Sequence, residues 1–167
     1  MIQRIRNYNW GATARASFSS VLSVILFTPV AITFNRHVAS LTYVQGQSMY
    51  PFFNEDFHRS TGSDWTFNWR WKPSENLRRG MIVTFMSPYR PEIESVKRIT
   101  ALEGDRVQPN KEGMPAITVP QGHVWLEGDG PEHKVLDSNT FGPVSASMIT
   151  GKLVWHISPF RKFGPIG

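Results

Sequence analysis

Ser48 and Lys97 are the residues whose types and surroundings suit chemistry. Ser48 sits in Gly46-Gln47-Ser48-Met49-Tyr50-Pro51. A serine hydroxyl is a poor nucleophile until a neighbouring group takes its proton. The chain has 5 histidines, His37, His58, His123, His133 and His156. Their spacing announces no triad, and Met49-Tyr50 after Ser48 breaks the G-x-S-x-G elbow. A lysine can replace histidine in serine hydrolases. Lys97 lies in Glu94-Ser95-Val96-Lys97-Arg98-Ile99. A strand over 92–100 places Ile93, Ser95, Lys97 and Ile99 on one face. Apolar surroundings disfavour the ammonium form and lower its pKa, and a neutral amine is what a general base must be. The plainer readings are an ordinary turn serine and a solvated lysine on an edge strand. The residues alone leave both open.

The elements that must position this pair begin with the N-terminus. Residues 1–20 carry Arg4, Arg6 and Arg15 and no acid, and the first acidic residue is Glu55. Residues 18–34 carry no charge, a stretch at the short end of what a bilayer span requires. Pro29 would kink it, which transmembrane helices tolerate. The expectation is one transmembrane helix within residues 1–37, with the basic flank on the charge-retaining side. A cleaved signal peptide ending near Val38-Ala39-Ser40 and an organelle targeting segment are the alternatives.

Beyond the anchor, Pro51 biases Tyr50 away from helix, so Ser48 belongs at a turn or strand end. Residues 53–63 read as an exposed loop. Trp65, Phe67, Trp69 and Trp71 alternate with Thr66, Asn68, Arg70 and Lys72, the period of a strand. The aromatic face is expected in the core, with a lipid-interface surface as the alternative. Further strands are expected at 81–86, 92–100, 122–127 and 151–157, with irregular chain at 131–147. Short strands between Gly/Pro turns imply a mostly β domain. The organisation is therefore an anchor at 1–37, a β catalytic domain at 38–158 and a flexible tail at 159–167.

Composition narrows the chemistry. The chain has 167 residues, 40 % apolar, with a spread net charge of +5. That supports one globular domain with a small appendage and no nucleic-acid patch. The cysteine count is 0, which excludes disulfides and thiolate chemistry. Metal and nucleotide motifs are missing.

Four stretches, in order, resemble the boxes of the signal peptidase I family of serine–lysine membrane proteases. Gly46–Pro51 is similar to the S-M-x-P nucleophile box and Arg79-Gly80-Met81-Ile82-Val83 to the R-G-D box. Lys97–Asp105 is similar to the lysine box, and Gly128-Asp129 with Asp137-Ser138-Asn139 and Gly142 to the last box. The likeness covers roughly residues 20–155. The absence of a large extra β domain resembles the mitochondrial inner-membrane branch of the family, and residues 122–129 and 137–144 resemble its second subunit type. The resemblance implies Ser48 as nucleophile and Lys97 as general base, with no metal or organic cofactor. It further implies a single-pass protein of the mitochondrial inner membrane facing the intermembrane space. Its partners would be membrane lipid, preprotein substrates bound as extended peptide, and a sister catalytic subunit in a heteromer. The sequence departs from the boxes at Phe52, Met81, Ala101 and Asn139. Val135 fills the slot of a lysine-orienting serine, and Gly46 that of an oxyanion-donating hydroxyl. Asp105, Asp129 and Asp137 are expected to hold turns. A soluble self-cleaving serine–lysine regulator and a non-catalytic membrane-anchored β subunit are the rival classes.

Overall fold

The computed structural model describes residues 10–55, 63–110, 113–131 and 135–166, with helix side chains from Val21 onward. Arg4, Arg6, His58 and His133 lie outside the described residues, as does the Arg15 side chain.

The expected apolar run falls inside α1, Trp10–His37, which contains Pro29. Its described side chains are almost all exposed, among them Val24, Ile25, Leu26 and Phe27. The run at 18–34 lies partly among side chains outside the described set. Among the described residues no helix is long and apolar enough to cross a membrane. The transmembrane expectation is corrected to that extent: a long apolar-surfaced helix forms, and the described part is not a complete span.

The rest is mostly β, as expected. The strands are β1 (Ala39–Val44), β2 (Asp64–Trp69), β3 (Ile82–Ser87), β4 (Arg90–Ala101), β5 (Arg106–Val107), β6 (Ile117–Thr118), β7 (His123–Glu127), β8 (Val144–Ser145), β9 (Ile149–Ser158) and β10 (Gly164–Pro165). The main sheet runs β1-β2-β9-β3-β4-β7-β8, with β10 added beside β9. β3 is central, between β4 and β9, and reads Ile82-Val83-Thr84-Phe85 without alternation because both of its faces are covered. One apolar cluster joins Val83, Phe85, Ile99, Leu126 and Ile149. A second joins Val44, Met49, Phe53, Ile82 and Leu153.

β2 has the expected period and the opposite orientation. Asp64, Thr66 and Asn68 are buried, while Trp65 and Trp69 are exposed at 43 % and 39 %. Trp71, just past the strand, is also exposed. The expectation of an aromatic core face is therefore wrong. The polar side chains can be inside because they find partners there. Asn68 Nδ2 donates to the Thr42 and Thr84 hydroxyls at 3.1 and 3.2 Å, and Thr66 Oγ1 donates to the Thr42 carbonyl at 3.1 Å. Leu41 and Tyr43 of β1 and Trp155 of β9 are exposed as well. They neighbour the β2 aromatics in register.

Two further differences concern ends and loops. Ser138–Phe141, expected irregular, forms a short helix, α2, whose N-cap Asp137 accepts from Asn139 N–H. The tail also folds: β10 pairs with His156 and Trp155 of β9, and Ile166 packs on the second apolar cluster. Ile166 is the apolar side chain that the tail packs inward, while Phe160 and Phe163 stack on each other at the surface.

Candidate active site

Ser48 lies in the turn that follows β1, as Pro51 led us to expect. The turn is pinned from below. Met49 and Phe53 are 1 % and 0 % exposed, and Phe53 N–H donates to the Met49 carbonyl at 2.8 Å. Burying two such side chains stabilises the turn by about 1.5–3 kcal/mol each. Ser48 between them and β1 remains half-buried, so its hydroxyl is held on a fixed backbone beside open space.

Lys97 stands opposite Val83 in the β3–β4 ladder. β4 runs from solvent, where Ile93 is exposed, into the core, where Lys97 is 3 % and Ile99 0 % exposed. Burial pulls the Lys97 amine down from 10.5 to about 8, against the opposing pull of the Asp137 and Asp129 carboxylates. At that value about a tenth of the amine is neutral at pH 7. Ser48 and Lys97 line the same cleft of about 350 Å³, together with Tyr43, Val44, Ser95 and Val96.

The Gly128-Asp129-Gly130 stretch closes the other side. Gly130 N–H donates to the Ser48 carbonyl at 3.1 Å. A Cβ on Gly128 would stand 2.3 Å from the Ser48 carbonyl oxygen, 2.6 Å from Val135 Cγ1 and 3.3 Å from Lys97 Nζ. A Cβ on Gly130 would stand 2.1 Å from the Gln47 carbonyl oxygen. Glycine at both places is what lets this segment lie across the serine turn. The sequence marks Gly128-Asp129 as part of the last box and Asp129 as a turn residue, without the crossing over Ser48. Two glycines flanking an acid just past a strand were the signal for close backbone approach.

Charged side chains fix the frame. Arg98 grips Asp129 through two hydrogen bonds of 2.9 and 2.6 Å, donates to the Gly80 carbonyl at 2.9 Å and lies 4.8 Å over the Phe52 ring. Asp137 accepts from Asn139 N–H at 3.0 Å and from Gly128 N–H at 3.3 Å. Asp105 accepts from Leu102 N–H and from Arg79, both at 2.8 Å, and Arg79 first of all holds its carboxyl below the usual range. Asp105 and Asp137 thus accept from turn N–H groups, while Asp129 is held by Arg98. Val135, in the slot that the resemblance gives to a lysine-orienting hydroxyl, presents a buried isopropyl group beside Lys97. Of the histidines, His156 is buried against Asp64, with Nε2 3.1 Å from Oδ2. Among the described residues no three His, Asp or Glu side chains gather to hold a metal ion.

A protein-family profile described as signal peptidase, peptidase S26, matches residues 17–115. Mitochondrial inner membrane protease subunit 2 of Schizosaccharomyces pombe is 36 % identical over 89 % of this chain and 81 % of its own length. The protein of that name from Saccharomyces cerevisiae is 33 % identical over 87 % of this chain and 82 % of its own. The Mus musculus one is 40 % identical over 72 % of this chain and 68 % of its own.

Proposed function

The chain belongs to the signal peptidase family, peptidase S26, and is similar to mitochondrial inner membrane protease subunit 2 of several organisms, and from that membership we propose a serine endopeptidase with Ser48 as nucleophile and Lys97 as general base. The observation that carries this reading is a buried amine, lowered to about 8, in the same cleft as a serine on a pinned turn.

In the proposed reaction Lys97 Nζ takes the Ser48 proton as Oγ adds to a substrate carbonyl. The oxyanion is met by the Ser48 N–H, a donor whose loss costs about 10²–10³ in rate in comparable sites. The resulting Lys97 ammonium protonates the departing amine, leaving an acyl-enzyme. Lys97, neutral again, takes a proton from water as its oxygen adds to the ester, and then returns that proton to Ser48 Oγ as the acyl bond breaks and the acid leaves. No cofactor enters these steps.

The substrate is proposed to be an extended preprotein segment. β1 is the outer strand of the sheet, and β4 pairs with β7 only from Arg98 onward. Residues 93–97 therefore offer a strand edge toward the cleft, opposite Thr42–Gln45. A peptide added as a strand between them uses main-chain hydrogen bonds and tolerates many sequences.

The names of the relatives support the mitochondrial inner membrane as the location and a complex of subunits, in which we propose a sister catalytic subunit as partner. We propose the N-terminal segment as a single-pass anchor and the intermembrane space as the side of the β domain. The exposed aromatics of β1, β2 and β9 suit a lipid interface. A second reading, a subunit without catalysis, is favoured by Val135 beside Lys97. Cleavage of a preprotein-derived peptide by the purified chain decides between them. Loss of cleavage in both Ser48→Ala and Lys97→Met supports catalysis, and cleavage that persists in Ser48→Ala ends that reading. Protease protection of the β domain in intact mitochondria and mitoplasts tests the topology.

A further inference from the structure

Below the serine turn lies a buried polar group that the proposed reaction does not use. Asn54 is 2 % exposed and has φ 57°, a left-handed conformation that asparagine tolerates. Both ends of its amide are engaged. Nδ2 donates to the Gly46 carbonyl at 2.9 Å, and Oδ1 accepts from Asp64 N–H at 3.1 Å. Its backbone N–H donates to Asp64 Oδ2 at 3.1 Å. The same carboxylate oxygen lies 3.1 Å from His156 Nε2, and the His156 ring lies 5.3 Å from that of Phe53. The turn is thus tied to β2 and β9 through Asn54. The amide orientation follows from its partners, because reversing it would set acceptor against acceptor at Gly46 and donor against donor at Asp64.

The bond to Gly46 is the informative one. Gly46 lies two residues before Ser48, at φ 85°, in a backbone region with little preference of its own. Fixing its carbonyl fixes the Gly46–Gln47 peptide plane. The Ser48 carbonyl is fixed from the far side by Gly130 N–H at 3.1 Å. Between these two ties the Gln47–Ser48 peptide, which carries the Ser48 N–H, has little freedom left. Holding a donor in place before reaction is what makes an oxyanion site effective.

We propose that Asn54 is a positioning residue: by holding the Gly46 carbonyl it orients the Ser48 N–H as an oxyanion donor. This rests on Ser48 being the nucleophile.

The test uses the full chain with Asn54→Gly and Asn54→Asp. The first keeps the left-handed backbone and removes both side-chain bonds. The second keeps an acceptor for Asp64 N–H and loses the donor to Gly46. Folded variants are expected to lose about 10²-fold in kcat, with KM changed less than about threefold, and their acylation burst slows in parallel. Asp64→Asn, which leaves the Gly46 bond in place, loses less. Unchanged kcat in a folded Asn54 variant, or a rise in KM that accounts for the whole loss, overturns the proposal. Ser48→Ala is the control. Full cleavage there removes the functional reading itself, whereas an inactive Ser48→Ala beside a fully active Asn54→Gly removes only the positioning role.

Discussion

Gly128 lies against Ser48 so closely that a methyl group at 128 would overlap the serine's own carbonyl oxygen, at 2.3 Å. The atoms it would meet are backbone on one side and the Val135 side chain on the other, and Lys97 Nζ is the third neighbour. Relief must come from moving the serine turn or the β7 end. Either motion separates groups that share one cleft.

Gly128→Ala is therefore expected to cost activity more than fold. Overpacking costs about 1–3 kcal/mol, which a thermal melt reads directly. A displacement of about 1 Å in a catalytic group lowers rate by about 10²-fold. Peptide cleavage near the unaltered rate in a folded Gly128→Ala would show that the turn and the cleft are not coupled as described.

Lys97 opposes stability where it supports catalysis. Its amine titrates near 8 in the fold and at 10.5 outside it. The unfolded chain therefore binds more protons between these values, and stability rises with pH across that window. Below about 8 the burial cost is fully present. Lys97→Met is expected to lose cleavage while melting higher than the unaltered chain at pH 7. The difference should shrink as pH rises from about 8 toward 10.5. In the unaltered chain kcat/KM should rise with pH up to about 8.

The Arg98–Asp129 grip supports the segment that crosses the serine turn. Both side chains are 21 % exposed, so removing one partner leaves a partly desolvated charge. Asp129→Asn and Arg98→Lys, which breaks the fork and the stacking on Phe52, should each destabilise by about 1–3 kcal/mol. Denaturant unfolding measures this, and losses below a few tenths would mean that the pair is a solvated surface contact.

The exposed aromatics make a prediction separable from chemistry. Trp65→Ser with Trp69→Ser should weaken binding to lipid vesicles while a soluble peptide is cut at an unchanged rate. The polar faces of Asp64, Thr66 and Asn68 stay bonded inside, so melting should shift little. Equal vesicle binding would assign this face to another role.

The order of four short motifs, a serine before proline and a lysine on an alternating strand were enough for the sequence to determine the mostly β class, the family and the candidate pair. Those are local properties: a proline restricts its neighbour, and strand periodicity shares out faces. Which face of β2 is inside was not local. Hydrophobicity argued for the tryptophans, and bonds from Thr42, Thr84 and Asn54 decided for the polar side, because these partners arrive from distant parts of the chain. The burial of Lys97, the folding of the tail and the closeness of Gly128 to Ser48 have the same origin. Each depends on segments dozens of residues apart meeting, and only the tertiary structure brings them together.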